Sequence, residues 1–224
     1  MLSYTEVNGD LIKLAKAGKF DVIAHGCNCQ SKMGSGIAVE MKNTFGCDKF
    51  PMETLGPDIR KLGNIDFKSF VLGSNGAIWN IEDETSNKLK EPELYVVNAY
   101  TQNMYGRNHS GGLPAPIDYE AVHICMKKIN ALFKDVRIGL PRIGAGLAGG
   151  DWHIIRNIIK TELTDCHITI VIYDKKQHNK QFKPEEKSAK PLTNGLIPLE
   201  CKAINKEAEC WKVLGRCVIC EHYV

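Results

Sequence analysis

The sequence predicts an α/β fold in which a parallel or mixed sheet is covered by helices on both faces. Short apolar runs that are typical of buried strands alternate with helical segments along residues 1–175. Two glycine-rich segments, which we name the first glycine loop (residues 25–36) and the second glycine loop (residues 141–150), each follow a strand and precede a helix. Since ligands of such sheets bind beyond the carboxyl ends of the strands, both loops are candidates for one site.

Composition and charge narrow the class of protein. The chain has 224 residues, of which 43% are hydrophobic and 25% charged, as is typical of a globular protein. The formal net charge of +3 is too small to indicate a nucleic acid or an anionic membrane as partner. The chain shows no signal-peptide pattern and no apolar run near the roughly 20 residues of a membrane span. We therefore expect a cytoplasmic, monomeric protein whose 9 cysteines are reduced thiols.

The first half of the chain predicts four strands and two main helices. The strands are expected at residues 3–7, 20–24, 67–72 and 77–81, and the helices at 11–17 and 37–45, with a short helical stretch around 57–62. Ile37, Met41 and Phe45 share one face of their helix. Gly73-Ser74-Asn75-Gly76 predicts a hairpin between the third and fourth strands. Asp10 stands where a helix N-cap belongs.

The second half predicts three strands, at residues 94–99, 136–140 and 167–173, and two helices, at 119–133 and 152–163. Asp118 and Asp151 stand at the N-cap positions of these helices. Residues 101–116 form a polar loop whose length is typical of a functional or mobile segment, and His109 within it is expected at the surface.

The first glycine loop has the composition of an anion-binding turn. It follows the apolar run Val22–Ala24 and leads through Gly26 and Gly34 to a helix that opens at Gly36. Backbone N–H groups at a helix N-terminus attract anions, and glycines let a phosphate approach the backbone closely. An ordinary strand-to-helix connection is the alternative for this loop taken alone. The second glycine loop repeats the pattern, which favours the anion site.

Four short motifs resemble those of the macrodomain family, the ADP-ribose-binding fold. They are NGDL at 8–11, HGCNCQSKMGSGIA at 25–38, VVNAYTQNMYG at 96–106 and LPRIGAGLAGGDW at 140–152. The final strand, which ends in Tyr173, also fits, and the resemblance covers residues 1–175. It implies a three-layer α/β/α macrodomain with a mixed, mostly parallel sheet and an ADP-ribose derivative as its small-molecule ligand.

The resemblance also implies ligand-binding roles for individual residues. Asp10 falls where the family binds the adenine amino group, with Leu11 beside it, and a carboxylate is a suitable acceptor for that group. Tyr173 would flank the adenine, and Asn28 would lie against the distal ribose. The backbone of the two glycine loops would clasp the diphosphate, through Gly34, Ser35, Gly36 and Ile37 of the first and Ile143, Gly144, Ala145, Gly146 and Leu147 of the second. Alternatives stay open for three of these side chains. Asp10 could instead be a helix cap, Tyr173 a half-buried aromatic and Asn28 a turn former.

Three activities are open to such a chain: removal of phosphate from ADP-ribose 1''-phosphate, release of ADP-ribose from a modified protein or nucleic acid, and binding without turnover. The HGCNCQ stretch resembles the yeast-type ADP-ribose 1''-phosphate phosphatases, in which a His ends this strand near the distal ribose, and His25 matches that position. An imidazole with its ordinary pKa of about 6.5 suits proton transfer at neutral pH. A histidine satisfied by local hydrogen bonds is the alternative for His25.

Two positions count against the glycohydrolase branch that uses a catalytic lysine. Gln102 stands where that branch carries the lysine, and Ala148 stands where it carries an aspartate. A glutamine forms no Schiff base and is no general base. An ADP-ribosylated macromolecule is therefore the alternative partner rather than the expected one.

The expected mechanism is attack of water on phosphorus while His25, with Asn28 and Gln102 nearby, orients a leaving oxygen. Asp151 is a further catalytic candidate, with the helix cap as the alternative. No metal or other cofactor is expected, because residues 1–175 contain no cluster of His and carboxylates with metal-ligand spacing.

Residues 176–224 differ in composition from the region of resemblance. Residues 176–194 are charged and poor in apolar side chains, which predicts a linker. Residues 195–224 predict a small extension that contains four cysteines and a histidine, Cys201, Cys210, Cys217, Cys220 and His222. The Cys217-x-x-Cys220 spacing is typical of zinc ligands, whereas the spacing of the other two is not, and buried cysteines in a docked segment are the alternative.

Overall fold

The computed structural model describes residues 1–73, 77–81, 91–106 and 115–173. Within these ranges the strands are β1 (Ser3–Asn8), β2 (Val22–Asn28), β3 (Ile65–Leu72), β4 (Ile78–Asn80), β5 (Leu94–Gln102), β6 (Arg137–Leu140) and β7 (His167–Ile172). The helices are α1 (Leu11–Lys16), α2 (Ile37–Phe45), α3 (Pro51–Thr54), α4 (Tyr119–Leu132) and α5 (Trp152–Glu162), with 3₁₀ turns at Cys47–Lys49 and Ile59–Lys61. The predicted linker, the predicted extension, His109 and the tip of the predicted hairpin lie outside the described residues.

The seven strands form one mixed sheet in the order β1-β7-β6-β2-β5-β3-β4. The four neighbouring pairs from β1 to β5 are parallel, whereas β3 pairs antiparallel with both β5 and β4. The carboxyl ends of β1, β7, β6, β2 and β5 therefore meet at one edge of the sheet, as the alternation of strands and helices predicts.

Helices cover both faces of the sheet and bury two separate apolar layers. On one face, residues of α4 and α5 such as Met126 and Ile155 pack on Val22, Ala24 and neighbouring strand residues. On the other face, Leu11 of α1 and Met41 and Phe45 of α2 pack on Ile23 and the apolar residues of β3 and β5. The alternating side chains of β2 thus contribute to opposite layers, which confirms the three-layer α/β/α arrangement.

Two central strands are longer than the apolar runs predict. The expected strand at 20–24 runs from Val22 to Asn28, and the expected strand at 94–99 runs from Leu94 to Gln102. The prediction that the first glycine loop begins at His25 is therefore wrong for its first four residues. The two strands pair with each other over their full length, with Cys27 opposite Tyr100 and Asn28 opposite Gln102 across a local irregularity. Strand pairing, not apolar character, determines where these strands end.

The helix predictions agree closely with the structure. Helix α2 has its predicted bounds, and α1, α4 and α5 end one residue earlier than predicted. Asp10, Asp118 and Asp151 are the N-caps of α1, α4 and α5, as predicted. Around residues 57–62 the chain forms only a 3₁₀ turn, and the sequence did not predict α3.

The five cysteines of the described ranges, at positions 27, 29, 47, 125 and 166, are free and buried. Burial raises the pKa of each of these thiols. In the part of the chain that the structure describes, no helix has the length and apolar character that crossing a membrane requires.

Candidate functional site

The predicted site residues come together at the edge where the parallel strands end. Asp10 follows β1, Tyr173 follows β7, the second glycine loop follows β6, the first glycine loop continues from β2, and Gln102 ends β5. The sheet order places these five features side by side in that sequence. The edge therefore presents a continuous row of candidate contacts, long enough for an extended ligand.

The two glycine loops lie against each other at the start of α2. Gly36 has φ 62° and ψ −149°, a conformation that side-chain-bearing residues avoid. A Cβ on Gly36 would lie 3.3 Å from Cδ1 of Leu147 in the second glycine loop, while a Cβ on Gly34 would meet nothing within 4 Å. The side chain of Leu147 is 77% exposed. The two loops are therefore in contact beside Gly36, where Leu147 stays largely exposed.

Helix α2 begins without a side-chain cap, unlike α1, α4 and α5. At Gly36 no side chain accepts a hydrogen bond from the first turn, whereas aspartates do so at the starts of α1, α4 and α5. The first N–H groups of a helix need an acceptor, and the helix dipole makes an anion the favoured one. The nine-residue helix α2 therefore directs an uncapped N-terminus towards the second glycine loop.

The second glycine loop is a compact turn that holds its own shape. The N–H of Gly150 donates to the carbonyl of Gly144 at 2.9 Å, and the N–H of Gly149 donates to the carbonyl of Gly146 at 3.0 Å. Gly144 has φ 72°, and a Cβ there would lie 2.5 Å from the Ile117 side chain. The two hydrogen bonds therefore preorganise the loop before any ligand binds. A larger residue at Gly144 would force the loop open.

Asp10 and Tyr173 lie together at the β1 and β7 end of the site. The Asp10 carboxylate accepts the N–H groups of Ile12 and Lys13, both at 3.0 Å, so the helix-cap interpretation is confirmed. Leu11 is buried, and Tyr173 is half exposed. The N–H of the adjacent Gly9 donates to the carbonyl of Ile172 at 2.9 Å, which keeps the two strand ends together. An adenine contact for Asp10 and Tyr173 stays a prediction.

Asn28 uses its side chain to shape the first glycine loop. Its Oδ1 accepts the N–H groups of Gln30 and Lys32, both at 3.1 Å, and its Nδ2 donates to the carbonyl of Lys32 at 2.8 Å. The side chain thus has the turn-forming role that was the alternative in the sequence. On the neighbouring strand, the Gln102 side chain donates to the carbonyl of Met104 at 2.9 Å. Contact of Asn28 with a ribose, and a catalytic place for Gln102 near the reacting phosphate, stay predictions.

His25 is part of β2 and has no solvent-exposed surface. Its Nε2 lies 2.7 Å from Oδ1 of Asn98, whose Nδ2 donates to the carbonyl of Cys47 at 3.1 Å. Asn98 therefore presents its oxygen to the ring, so Nε2 carries the proton. Burial lowers the pKa of His25 to about 4, and the ring is neutral at pH 7. A proton-transfer role stays a prediction, but the geometry is that of a group holding β2, β5 and the 3₁₀ turn at Cys47 together.

Asp151 and Ala148 are both part of the framework beside the second glycine loop. The Asp151 carboxylate accepts the N–H of His153 at 2.7 Å, and its own N–H donates to the Tyr119 hydroxyl at 2.8 Å. Ala148 is buried, and its carbonyl accepts the N–H of Ile117 at 3.2 Å. The structure therefore confirms the cap interpretation of Asp151, and a catalytic role for it stays a prediction.

A buried polar network beneath the first glycine loop was not predicted. The Tyr100 hydroxyl lies 3.2 Å from Oε1 of Glu53 and 3.1 Å from Oδ2 of Asp66, and Lys61 lies over the Tyr100 ring. Burial raises the pKa of both carboxyl groups. Residues 46–64 show neither a helical nor a strand period, so no pattern in the sequence marks Glu53 or Lys61 as buried.

Groups of three or more His, Cys, Asp or Glu side chains suited to a metal ion do not occur among the residues that the structure describes.

No protein-family model matches the chain. Among curated proteins it is 31% identical, over 176 residues, to an uncharacterized 17.5 kDa protein of the tk-vs intergenic region of Enterobacteria phage T4, a match that covers 75% of this chain and 95% of that protein. It is 23% identical, over 192 residues, to the ADP-ribose 1''-phosphate phosphatase of Debaryomyces hansenii, which covers 78% of this chain and 100% of that one.

Solved structures share the fold. The macrodomain of Mycobacterium tuberculosis DarG has a TM-score of 0.51 at 15% identity, covering 75% of this chain and 96% of that one. Thermosipho africanus DarTG in complex with ADP-ribose has a TM-score of 0.54 at 16% identity, covering 77% of this chain and 42% of that one. At these identities the likeness shows a common fold.

Proposed function

This chain belongs to the macrodomain family, and from that premise we propose that it binds the ADP-ribose part of ADP-ribose 1''-phosphate and removes the terminal phosphate. The observation that carries the proposal is the uncapped N-terminus of α2, which faces the second glycine loop at the ligand-binding edge of the sheet. The curated yeast relative that bears the name of this activity is matched over 100% of its own length and 78% of this chain, at 23% identity.

The ligand is oriented along the row of strand ends. The adenosine occupies the end formed by Asp10 and Tyr173, and the diphosphate lies between the two glycine loops, where it accepts N–H groups from the first turn of α2. The distal ribose and its phosphate then lie beyond the ends of β2 and β5, near Asn28 and Gln102. The resemblance to macrodomains suggests which end takes the adenosine, and the sheet order and the affinity of helix N-termini for phosphate support the rest of this order.

The reaction transfers the phosphoryl group to water and gives ADP-ribose and inorganic phosphate. Phosphoryl transfer has little covalent chemistry for a protein to supply, so fixed dipoles and accurate positioning provide most of the rate. His25 contributes by positioning β2 and β5, because its ring is neutral and wholly buried. The proposal therefore assigns no proton transfer to His25 at neutral pH.

The first test compares phosphate release from ADP-ribose 1''-phosphate with ADP-ribose affinity in the wild type and in Gly36→Ala. The matched control is Gly46→Ala at the opposite end of α2, where φ is also 62° and a Cβ would meet nothing within 4 Å. We expect Gly36→Ala to lower the affinity for ADP-ribose about tenfold or more, since it disturbs the N–H groups offered to phosphate. Gly46→Ala should lose stability but keep its affinity.

Absence of phosphate release from the wild type, with ADP-ribose bound tightly, would exclude the phosphatase. Equal affinity in the Gly36→Ala and Gly46→Ala variants would exclude the cleft between the loops as the diphosphate site. These two outcomes are independent, so the reaction and the binding mode are tested separately.

Binding of ADP-ribose without turnover is the second candidate, and one observation favours it. His25, Asn28 and Asp151, the predicted catalytic side chains other than Gln102, all make hydrogen bonds that hold the fold itself. A protein that only binds would retain tight ADP-ribose affinity and release neither phosphate from ADP-ribose 1''-phosphate nor ADP-ribose from a modified protein. Measuring both products in one experiment separates the phosphatase, the glycohydrolase and the binding protein.

A further inference from the structure

The side chain of Asn28 holds Lys32 at a fixed place in the first glycine loop. It bonds both backbone groups of Lys32, accepting the N–H at 3.1 Å and donating to the carbonyl at 2.8 Å. Asn28 is itself buried at the end of β2, while Lys32 is exposed. A loop position tied to a rigid strand in this way presents its side chain from a defined point.

A second buried side chain, that of Lys61, holds Ser31 of the same loop. Ser31 has φ 58°, a left-handed backbone conformation that is costly for a residue with a side chain. The Lys61 ammonium donates to its hydroxyl, and that hydroxyl donates to the carbonyl of Gly56 at 3.5 Å. Lys61 is 1% exposed. The buried Lys61 thus holds Ser31, the residue before Lys32, in a strained conformation.

The proposed substrate places a charge at this end of the site. A terminal phosphomonoester carries about −1.5 to −2 charges at pH 7, more than either phosphate of the diphosphate. Backbone dipoles stabilise part of that charge, and a cation is the usual complement. The first glycine loop carries one cation, Lys32, and the segment that hydrogen-bonds to Cys29 and Tyr100 near the ends of β2 and β5 carries two more, Arg60 and Lys61.

Two of these three cations already have other roles. The Arg60 guanidinium is paired with the carboxylate of Asp58 at 2.7 Å. Lys61 is enclosed and donates to Ser31. Lys32 remains as the exposed cation of the loop that leads from the distal-ribose end to the diphosphate end.

We propose that Lys32, positioned by Asn28, binds the terminal phosphate and makes the site prefer an ADP-ribose with a phosphorylated distal ribose over ADP-ribose itself. The inference rests on the proposed binding of ADP-ribose at this cleft and deepens it by naming a specificity-determining residue. It does not depend on the phosphate being hydrolysed.

The test measures selectivity through binding alone. The two probes are ADP-ribose and its non-hydrolysable 1''-methylenephosphonate analogue. Each is titrated by calorimetry into the wild type, Lys32→Gln, Lys32→Arg and the control Lys49→Gln. The control removes an exposed lysine from the neighbouring 3₁₀ turn. We expect Lys32→Gln to lower the affinity for the phosphonate about tenfold while the affinity for ADP-ribose changes less than about twofold. Lys32→Arg and Lys49→Gln should keep the wild-type preference.

The outcomes separate this inference from the phosphatase proposal. A preference for the phosphonate that Lys32→Gln abolishes supports the inference, even if the wild type releases no phosphate. A wild type that binds both probes equally overturns it, and so does a Lys32→Gln variant that weakens both probes to the same extent.

Discussion

At the residue scale, the imidazole of His25 is maintained in its neutral form by burial. Burial lowers its pKa from 6.5 to about 4, and the hydrogen bond to Asn98 offsets only part of that shift. In the unfolded chain the ring regains its ordinary pKa, so between these two values the unfolded state binds more protons than the folded state. Stability from this group is therefore present near neutral pH and is lost as the pH falls towards 4.

We predict that the free energy of unfolding falls by about 2 kcal/mol when the pH is lowered from 7 to 5, because the unfolded chain binds a proton at His25 and the folded chain does not. Urea denaturation at both pH values measures the change in the wild type, in His25→Gln and in the control His153→Gln, which removes an exposed histidine from α5. His25→Gln should lack this part of the pH dependence, and His153→Gln should keep it. If His25→Gln does not fold, the ring can be titrated by NMR in the wild type, where a pKa above 6 would contradict the burial argument.

Lys32 and His25 illustrate what residue types reveal and what they do not. The sequence marked His25 as chemically interesting because histidine titrates near neutral pH, but its burial follows from β2 continuing two residues past Gly26 beside β5. Lys32 stands in the same motif, yet its tie to Asn28 spans four positions and has no periodic signature. Residue type suggested a neighbourhood for the site, and only the paired backbone shows which side chains face inwards.

At the element scale, four helices begin at the ligand-binding edge or beside it, and their N-termini divide into two kinds. Aspartates cap α1, α4 and α5, whereas α2 starts at a glycine with no side-chain cap. An N-cap aspartate both satisfies N–H groups and repels other anions. In the proposed binding mode, phosphate is therefore directed to α2 and away from the three capped helices.

The Asp10→Ser variant separates the helix-capping role of Asp10 from its predicted role in ligand binding. Serine caps a helix about as well as aspartate, so Asp10→Ser should change the free energy of unfolding by less than about 0.5 kcal/mol. If the carboxylate also accepts the adenine amino group, the variant should bind ADP-ribose about tenfold more weakly. Calorimetric titration and thermal unfolding measure the two effects, with Asp118→Ser at the α4 cap as control. Wild-type affinity in Asp10→Ser would rule out the adenine contact.

The helices were easier to predict than the strands for a physical reason. Capping residues and the 3.6-residue period are local, and they gave the bounds of α2 correctly and those of α1, α4 and α5 within one residue. The ends of β2 and β5 depend on each other, since Asn28 and Gln102 are strand residues only because they are paired. Polar strand ends of this kind carry no local signal.

At the scale of the whole molecule, Gly139 in β6 leaves no room for a side chain between the sheet and the residues that cover it. A Cβ there would lie 2.6 Å from the Phe20 ring and 2.9 Å from Leu11. Leu11 opens α1, so this contact fixes how far α1 stands from the sheet. The absence of a side chain at Gly139 thus allows one face of the sheet to be covered.

We predict that Gly139→Ala lowers the free energy of unfolding by about 1–3 kcal/mol, because the added methyl overpacks a buried contact between layers. Gly146→Ala is the matched control, since a Cβ at that position meets nothing within 4 Å. Urea denaturation of both variants measures the difference. Equal stability of the two would mean that α1 moves away from the sheet at little cost.

The overall architecture was predictable because it depends on order along the chain. Alternating strands and helices predict a sheet covered on both faces, and four motifs in the right order indicated the macrodomain. The buried network of Tyr100, Glu53 and Asp66 could not be predicted, since it joins three segments that are distant in sequence. Carboxylates at such positions look like surface residues until the fold encloses them.

The pairing of β1 with β7 also determines when each part of the site is made. Ser3 and His167 lie side by side although 164 positions separate them, so β1 leaves the ribosome long before its partner strand has been translated. The strands that end at Asn28 and Gln102 are synthesised much closer together. A nascent chain can therefore pair the strands that end at Asn28 and Gln102 early, whereas Asp10 and Tyr173 come to lie at neighbouring strand ends only after β7 has emerged.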